Sequence, residues 1–249
     1  MTALHERRHS DPARSPHRDM ARRLLVVSVV VVVGVLSVTA ALLLRGHQAN
    51  DLTGSGAVRG SGVAASETRN VPPFTAVELA GSSNVTVQVG RPQSVVVLAD
   101  DNLIGSVRTT VRSGALVIET TGSVSTRAPM RVAVIVPEVQ SVRLSGSGNL
   151  IVDGVVSSSF TASLPGSGTM LVAGQTDYLE ASLQGSGEMN LHGLIAQEVK
   201  VQLPGSGTIQ VYATDSLDAD VSGSGTVMYA GNPPRVTHTV QGSGAVEPE

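Results

Sequence analysis

From residue 142 onward, apolar and polar side chains alternate on both sides of a recurring Gly-Ser-Gly triplet. Four and two residues before each triplet stand Val142 and Leu144, Ala162 and Leu164, Ala181 and Leu183, Val201 and Leu203, and Ala219 and Val221. Two and four residues after it stand Leu150 and Val152, Met170 and Val172, Met189 and Leu191, Ile209 and Val211, and Val227 and Tyr229. The intervening positions are mostly polar, as at Arg143, Ser163, Ser182, Gln202 and Asp220. A period of two marks a strand with one buried face. Each unit therefore predicts strand, Gly-Ser-Gly turn, strand, loop.

The triplets begin at Gly146, Gly166, Gly185, Gly205, Gly223 and Gly242, at steps of 20, 19, 20, 18 and 19 residues. A unit this short cannot cover its own apolar face. Stacking units about 4.8 Å apart covers it and sets equivalent residues above one another. The glycines then serve either a positive φ at the turn or a close backbone approach to the next coil. The central serines (Ser147, Ser167, Ser186, Ser206, Ser224) form an outer hydroxyl ladder, which is turn chemistry because no base repeats beside it.

A weaker copy surrounds Gly81-Ser82-Ser83, with Val77, Leu79, Val85 and Val87 at the same apolar spacing. Between it and Gly146 lie predicted strands over Ser94 to Leu98, Val107 to Val111, Ala115 to Thr120 and Arg131 to Val136. Turn signals stand at Asp100-Asp101-Asn102 and Ser113-Gly114. This stretch, 88–140, reads as wider coils or as a capping sheet. After the last triplet, charge and proline within Ala245 to Glu249 are expected to blunt the exposed final coil.

The amino terminus has a different pattern. Leu24 to Leu44 is a run of 21 residues without a charge. About 20 apolar residues span a bilayer as a helix. Six arginines precede it (Arg7, Arg8, Arg14, Arg18, Arg22, Arg23) and only Arg45 follows closely, which places the amino terminus in the cytoplasm and the remainder outside. A cleaved signal peptide ending near Val38-Thr39-Ala40 is the competing reading, and it exports the same domain. The expected organisation is a cytoplasmic basic segment (1–23), a transmembrane helix (24–44), a flexible Gly/Ser linker (45–70) and an extracytoplasmic all-β solenoid domain (71–249). The Gly60-Ser61-Gly62 triplet is read as linker composition because no alternating strands flank it.

The blocks FTAVELAGSSNVTVQVG, VLADDNLIGSVRTTVRSGALVIE and VAVIVPEVQSVRLSGSGNLIV, followed by the Gly-Ser-Gly units, resemble the putative auto-transporter adhesin head GIN domain family. The resemblance covers roughly Phe74 to Gly244. It implies a right-handed parallel β-helix of coils of about 20 residues on a bacterial envelope protein. It carries no catalytic residue, cofactor or activity.

Composition narrows the function. Aromatics are 2% of the chain, tryptophan is absent, and the net charge is −3. A strongly basic nucleic-acid binder is thereby excluded. Cysteine is absent, so the chain has no disulfide, thiolate metal site or cysteine nucleophile. Calcium-binding β-solenoids place an aspartate two residues beyond the last glycine; here that position holds Leu150, Met170, Met189, Ile209 or Val227. Asp215, Asp218 and Asp220 read as a solvated acidic face, with a weak calcium site as the alternative. His192 and His238 stand far apart. Sugar stacking is poorly served by Phe74, Phe160, Tyr178, Tyr212 and Tyr229. Outward Thr169, Thr208 and Thr226 are single residues per coil, interrupted by Glu188. No catalytic, cofactor-binding or metal-binding residue is expected, and no cofactor.

The leading expectation is a membrane-anchored structural, adhesion or binding module without catalysis. Its partners are the membrane and an envelope polymer or protein, not nucleic acid. Two rivals are an envelope-sensing signalling protein, using the arginines before the apolar run, and a polysaccharide-active β-helix enzyme.

Overall fold

The computed structural model describes residues 56–249. The expected cytoplasmic segment, the expected helix over 24–44 and residues 45–55 of the expected linker lie outside the described residues. Among the described residues no helix is long and apolar enough to cross a membrane. Their one helical piece is a short 3-10 turn over Ile104–Ser106.

The repeat region is a stack of parallel coils. Strands β11 (Asn149–Leu164), β12 (Thr169–Leu183), β13 (Glu188–Leu203) and β14 (Thr208–Val221) pair in order. Each of the first three is divided by a register shift, after Val152, Leu171 and Leu191, into a first arm after its triplet and a second arm before the next. The first arms continue in β15 (Thr226–Ala230) and β17 (Ala245–Pro248), and the second arms in β16 (Arg235–Val240). Below β11 the second-arm row continues in β10 (Ser141–Leu144).

The register reproduces the periodicity of the sequence. Leu150, Met170, Met189, Ile209, Val227 and Val246 form one column. Leu183 lies over Leu164, and Val221 over Leu203, in the opposite row. Leu164, Leu183 and Leu203 are fully buried. Burying one such side chain contributes about 1.5–3 kcal/mol, so repetition builds a stable core without large rings. Phe160 is the one aromatic buried in these coils, stacked on Leu179.

The triplet glycines answer to close approach. A methyl group at Gly146 would overlap the carbonyl oxygen of Gly81, one at Gly166 that of Gly146, and one at Gly185 that of Gly166. The third glycines behave alike, Gly187 against Gly168 and Gly207 against Gly187. Of the triplet glycines from Gly146 onward, only Gly242 has a positive φ, +123°. The intervening serines point to solvent, as expected.

The amino-terminal end is both a coil and a cap. β3 (Ala76–Ala80) and β4 (Asn84–Val89) lie directly beneath β10 and β11, with Val77 under Val142 and Val85 under Leu150. Beneath them lie β7 (Ala115–Thr120) and β9 (Arg131–Val136), again parallel. The coil made by residues 115–136 thus sits below the one made by residues 76–89, although it follows in the chain. Antiparallel strands close this end. β6 (Val107–Arg112) pairs with β7, β5 (Ser94–Asp100) with β9, and β2 (Ala64–Arg69) with β5. A small separate ladder joins β1 (Val58–Arg59) to β8 (Val124–Ser125).

β1 and β2 correct the expectation of a flexible linker over 45–70. From Val58 onward the segment belongs to the domain. β2 is an edge strand with mostly exposed side chains, held by its ladder to β5, so its sequence carries no buried-face alternation. The Gly60-Ser61-Gly62 triplet is not linker either. It wraps the buried Asp100: the Gly62 N–H donates to Oδ1 at 2.7 Å, and a side chain at Gly60 would collide with that carboxylate. The N–H groups of Arg127 and Ala128 donate to Oδ2 at 3.0 and 3.1 Å. Burial alone pushes the Asp100 carboxyl upward, but these backbone donors outweigh it and hold it below its ordinary value.

Candidate binding faces

The register that buries every second residue arrays the others in outward ladders. On the first-arm face one ladder runs Asn84, Asn149, Thr169, Glu188, Thr208 and Thr226. Asn149 Nδ2 donates to Asn84 Oδ1 at 2.8 Å, tying two coils at their surface. The neighbouring ladder runs Val96, Ala133, Thr86, Ile151 and Leu171, then Asn190, Gln210 and Met228. Its lower half is aliphatic apart from Thr86. Ile151 and Leu171 are 42% and 40% exposed and lie side by side on successive coils. Adjacent exposed apolar side chains suit an interaction surface better than singly scattered ones do.

A second candidate lies beyond the register shifts. Val156, Gln175 and Ile195 stack on successive coils, and a shallow groove of about 630 Å³ runs across them. Several of its polar groups are already engaged. Gln197 Nε2 donates to Asp177 Oδ1 at 2.9 Å, and the Thr176 hydroxyl donates to the Tyr178 carbonyl at 3.1 Å. Nothing converges on a point where a reacting atom could sit.

At the cap a cleft of about 420 Å³ lies between β2 and β6. Its Arg69 pairs with Glu67 at 2.9 Å and donates to the Ile104 carbonyl at 3.0 Å, so its guanidinium holds the cleft walls together.

The acidic trio does not form a cage. Asp215 pairs with Arg235 at 2.9 Å; Asp218 stands across from Lys200 and Thr237, and Asp220 across from Gln202 and Thr239. Among the described residues no group of three or more His, Asp or Glu gathers as metal ligands would. His192 Nδ1 lies 2.9 Å from a Glu249 carboxylate oxygen, and His238 lies on the last second-arm strand. Tyr229, expected inward, is half-buried against the core. Two groups escaped the sequence reading. Asp100 did so because its donors lie far away in sequence. The Ile151–Leu171 pair lies in the outward phase, where the alternation predicts polar residues, although Leu150-Ile151-Val152 and Met170-Leu171-Val172 carry the signal as unbroken apolar triplets.

A family model described as putative auto-transporter adhesin, head GIN domain, matches residues 73–233. The chain belongs to this family. The head GIN match begins just before β3 and ends before β16, so β1, β2 and the last coil lie outside it. Several solved structures share the fold. A putative adhesin from Bacteroides fragilis NCTC 9343 aligns with a TM-score of 0.62 at 18% identity, over 77% of this chain and 100% of its own. A putative adhesin from Parabacteroides merdae ATCC 43184 gives 0.54 at 22% identity, over 77% and 98%. A structure titled putative lipid binding protein, from Parabacteroides distasonis ATCC 8503, gives 0.53 at 22% identity, over 77% and 99%. No curated protein matches the chain.

Proposed function

We propose that this head GIN domain is a binding or adhesion module on the outer side of the cell membrane, held by a single helix over residues 24–44, and that it performs no catalysis. The observation that carries the binding reading is the aliphatic pair Ile151 and Leu171, exposed side by side on successive coils of a ladder that turns polar at Asn190 and Gln210. Such a face suits an extended envelope polymer or a protein surface contacted over several coils. The dispersed carboxylates favour binding over bond cleavage. We take the coils as right-handed, the sense that parallel crossovers favour. The apolar run and the arginines before it support the anchor and its orientation.

The binding reading is tested by retention on isolated cell-envelope material. The paired substitutions Ile151→Glu and Leu171→Glu are expected to reduce retention at least tenfold while leaving the fold intact; unchanged retention rejects this face. The location is tested separately, because the chain has no cysteine. A Ser186→Cys variant is expected to react with a membrane-impermeant thiol reagent in intact cells. Reaction only after lysis refutes the outward orientation.

A further inference from the structure

The two ends of the solenoid are finished differently. Antiparallel strands cover the amino-terminal end, whereas β16 and β17 each pair on one side only. Val236 and Val240 continue the columns of Leu217 and Val221. Those two are 1% and 0% exposed, but Val236 and Val240 are 37% and 38% exposed. Among the described residues these columns therefore end partly exposed.

The two terminal strands also differ in how their free edges are guarded. Charges and proline normally protect an exposed edge. β17 has Glu247 and Pro248, followed by Glu249. β16 has none of these from Val236 to Val240, its guards being confined to Pro233, Pro234 and Arg235 at its start. The Gln241 N–H donates to the Val221 carbonyl at 2.7 Å. By strand alternation Thr239, Thr237 and Arg235 face β14 in the same way, and the N–H and C=O of Val236, His238 and Val240 face outward, unpaired.

The guardless segment reads Val-Thr-His-Thr-Val, the same in both directions. Antiparallel pairing with an identical strand about His238 sets Val236 opposite Val240, Thr237 opposite Thr239 and His238 opposite its own copy. Valine extends the Leu217 and Val221 columns across the junction. The two His238 side chains, which continue the Ala219 column, meet beside the axis on the same face. Threonine meets threonine on the outer face, and every outward backbone group finds a partner. Pairs of β-branched and threonine side chains are favourable cross-strand neighbours. The pairing is isologous and closes on itself.

We propose that the distal end of this domain self-associates through antiparallel β16–β16 pairing of two copies, with the two-fold axis at His238. Charge and area set its strength. No acid lies on β16, and Arg235, already paired with Asp215 of its own chain, comes opposite Gln241 of the second copy. Glu247 and Glu249 of the two copies face one another beside the junction and oppose it. One strand pair also buries less than the about 1,200 Å² of a stable interface. The dimer is accordingly weak and reversible, and it tightens with salt as the glutamates are screened. This inference is independent of what the outer faces bind, and β16 lies outside the family match.

Ser55–Glu249 is one compact unit, and the measurements are made on it and on the full chain in detergent. Sedimentation equilibrium at rising concentration should show a monomer–dimer equilibrium. His238→Pro removes only an outward-facing N–H and should weaken the dimer at least tenfold. Should that variant lose its β-sheet circular dichroism, Thr237→Lys supplies a charged guard instead and should weaken the dimer similarly. Oxidation of single-cysteine variants reads the register. His238→Cys sets the two Cα atoms about 5.5 Å apart, within disulfide reach, and should cross-link fastest, with Thr237→Cys much slower. A domain monomeric at all accessible concentrations, a dimer indifferent to both guards, or even cross-linking along the strand would each overturn the proposal.

Discussion

The carbonyl oxygen of Gly166 occupies the space that a side chain on Gly185 would need. The same relation links Gly205 to Gly185 and Gly223 to Gly205, so one backbone contact repeats up the corner of the solenoid. Gly185→Ala should therefore force two coils apart. Overpacking of this kind costs about 1–3 kcal/mol, a fall of roughly 2–12 °C in Tm for a domain of this size. Ser186→Ala, one residue away on the solvent side, should stay within about 0.5 kcal/mol. Thermal denaturation of the pair checks the contact; equal effects would contradict it.

Leu171 and Leu183 are in the same strand but in opposite phases. Leu183 is fully buried, whereas Leu171 is 40% exposed. Leu183→Ala should lose about 2–5 kcal/mol through transfer and cavity terms. Leu171→Ala should lose under about 1 kcal/mol. Urea unfolding of both variants measures the strand phase directly.

Asp100 should give the domain an acid-sensitive latch. Its folded carboxyl lies below the ordinary 3.8. The ionised form is therefore favoured in the folded state, and its stabilisation is fully present above that value. It is lost as pH falls from there through the lower folded value. Asp100→Asn should cost on the order of 2 kcal/mol near neutrality, by weakening charge-assisted bonds from Gly62, Arg127 and Ala128. It should also flatten this part of the acid limb in a plot of unfolding free energy against pH. An unchanged acid limb would remove Asp100 as its source.

Removal of residues 56–70 tests where the domain begins. A chain starting at Val71 loses β1 and β2, bares the edge of β5 and deprives Asp100 of the Gly62 donor. It should melt at least about 5 °C lower than residues 56–249 and aggregate more readily through the new edge. Equal melting would return this segment to the role of a tether.

Added calcium should leave Tm unchanged, because Asp215 is bound to Arg235 and the other two aspartates stand apart along the strand. A rise in Tm that grows with calcium concentration would reveal a site by mass action.

Much of the architecture was legible because it repeats. Leu150, Met170, Met189 and Ile209 share a phase that only stacking can bury, and the even triplet spacing fixes the register. The cap was less legible for physical reasons. β2 is exposed on both faces, so no buried phase marks it. The environment of Asp100 is assembled from Gly62, Arg127 and Ala128, whose proximity depends on the completed fold. The turn at Asp100-Asp101-Asn102 was visible, but what it turns around was not. The outer ladder was partly legible: apolar Ile151 and Leu171 break the alternation, and a broken phase is the trace that an exposed apolar pair leaves.

The inversion of chain order at the base governs how the molecule is assembled. Residues 76–89 leave the ribosome before either of the strand pairs that enclose them, since 115–136 go beneath and 141–152 go above. That coil has no neighbour to stack on when it emerges. Its lower partner is supplied by 115–136 and its upper one only by 141–152, so the base of the stack is closed by chain made after it.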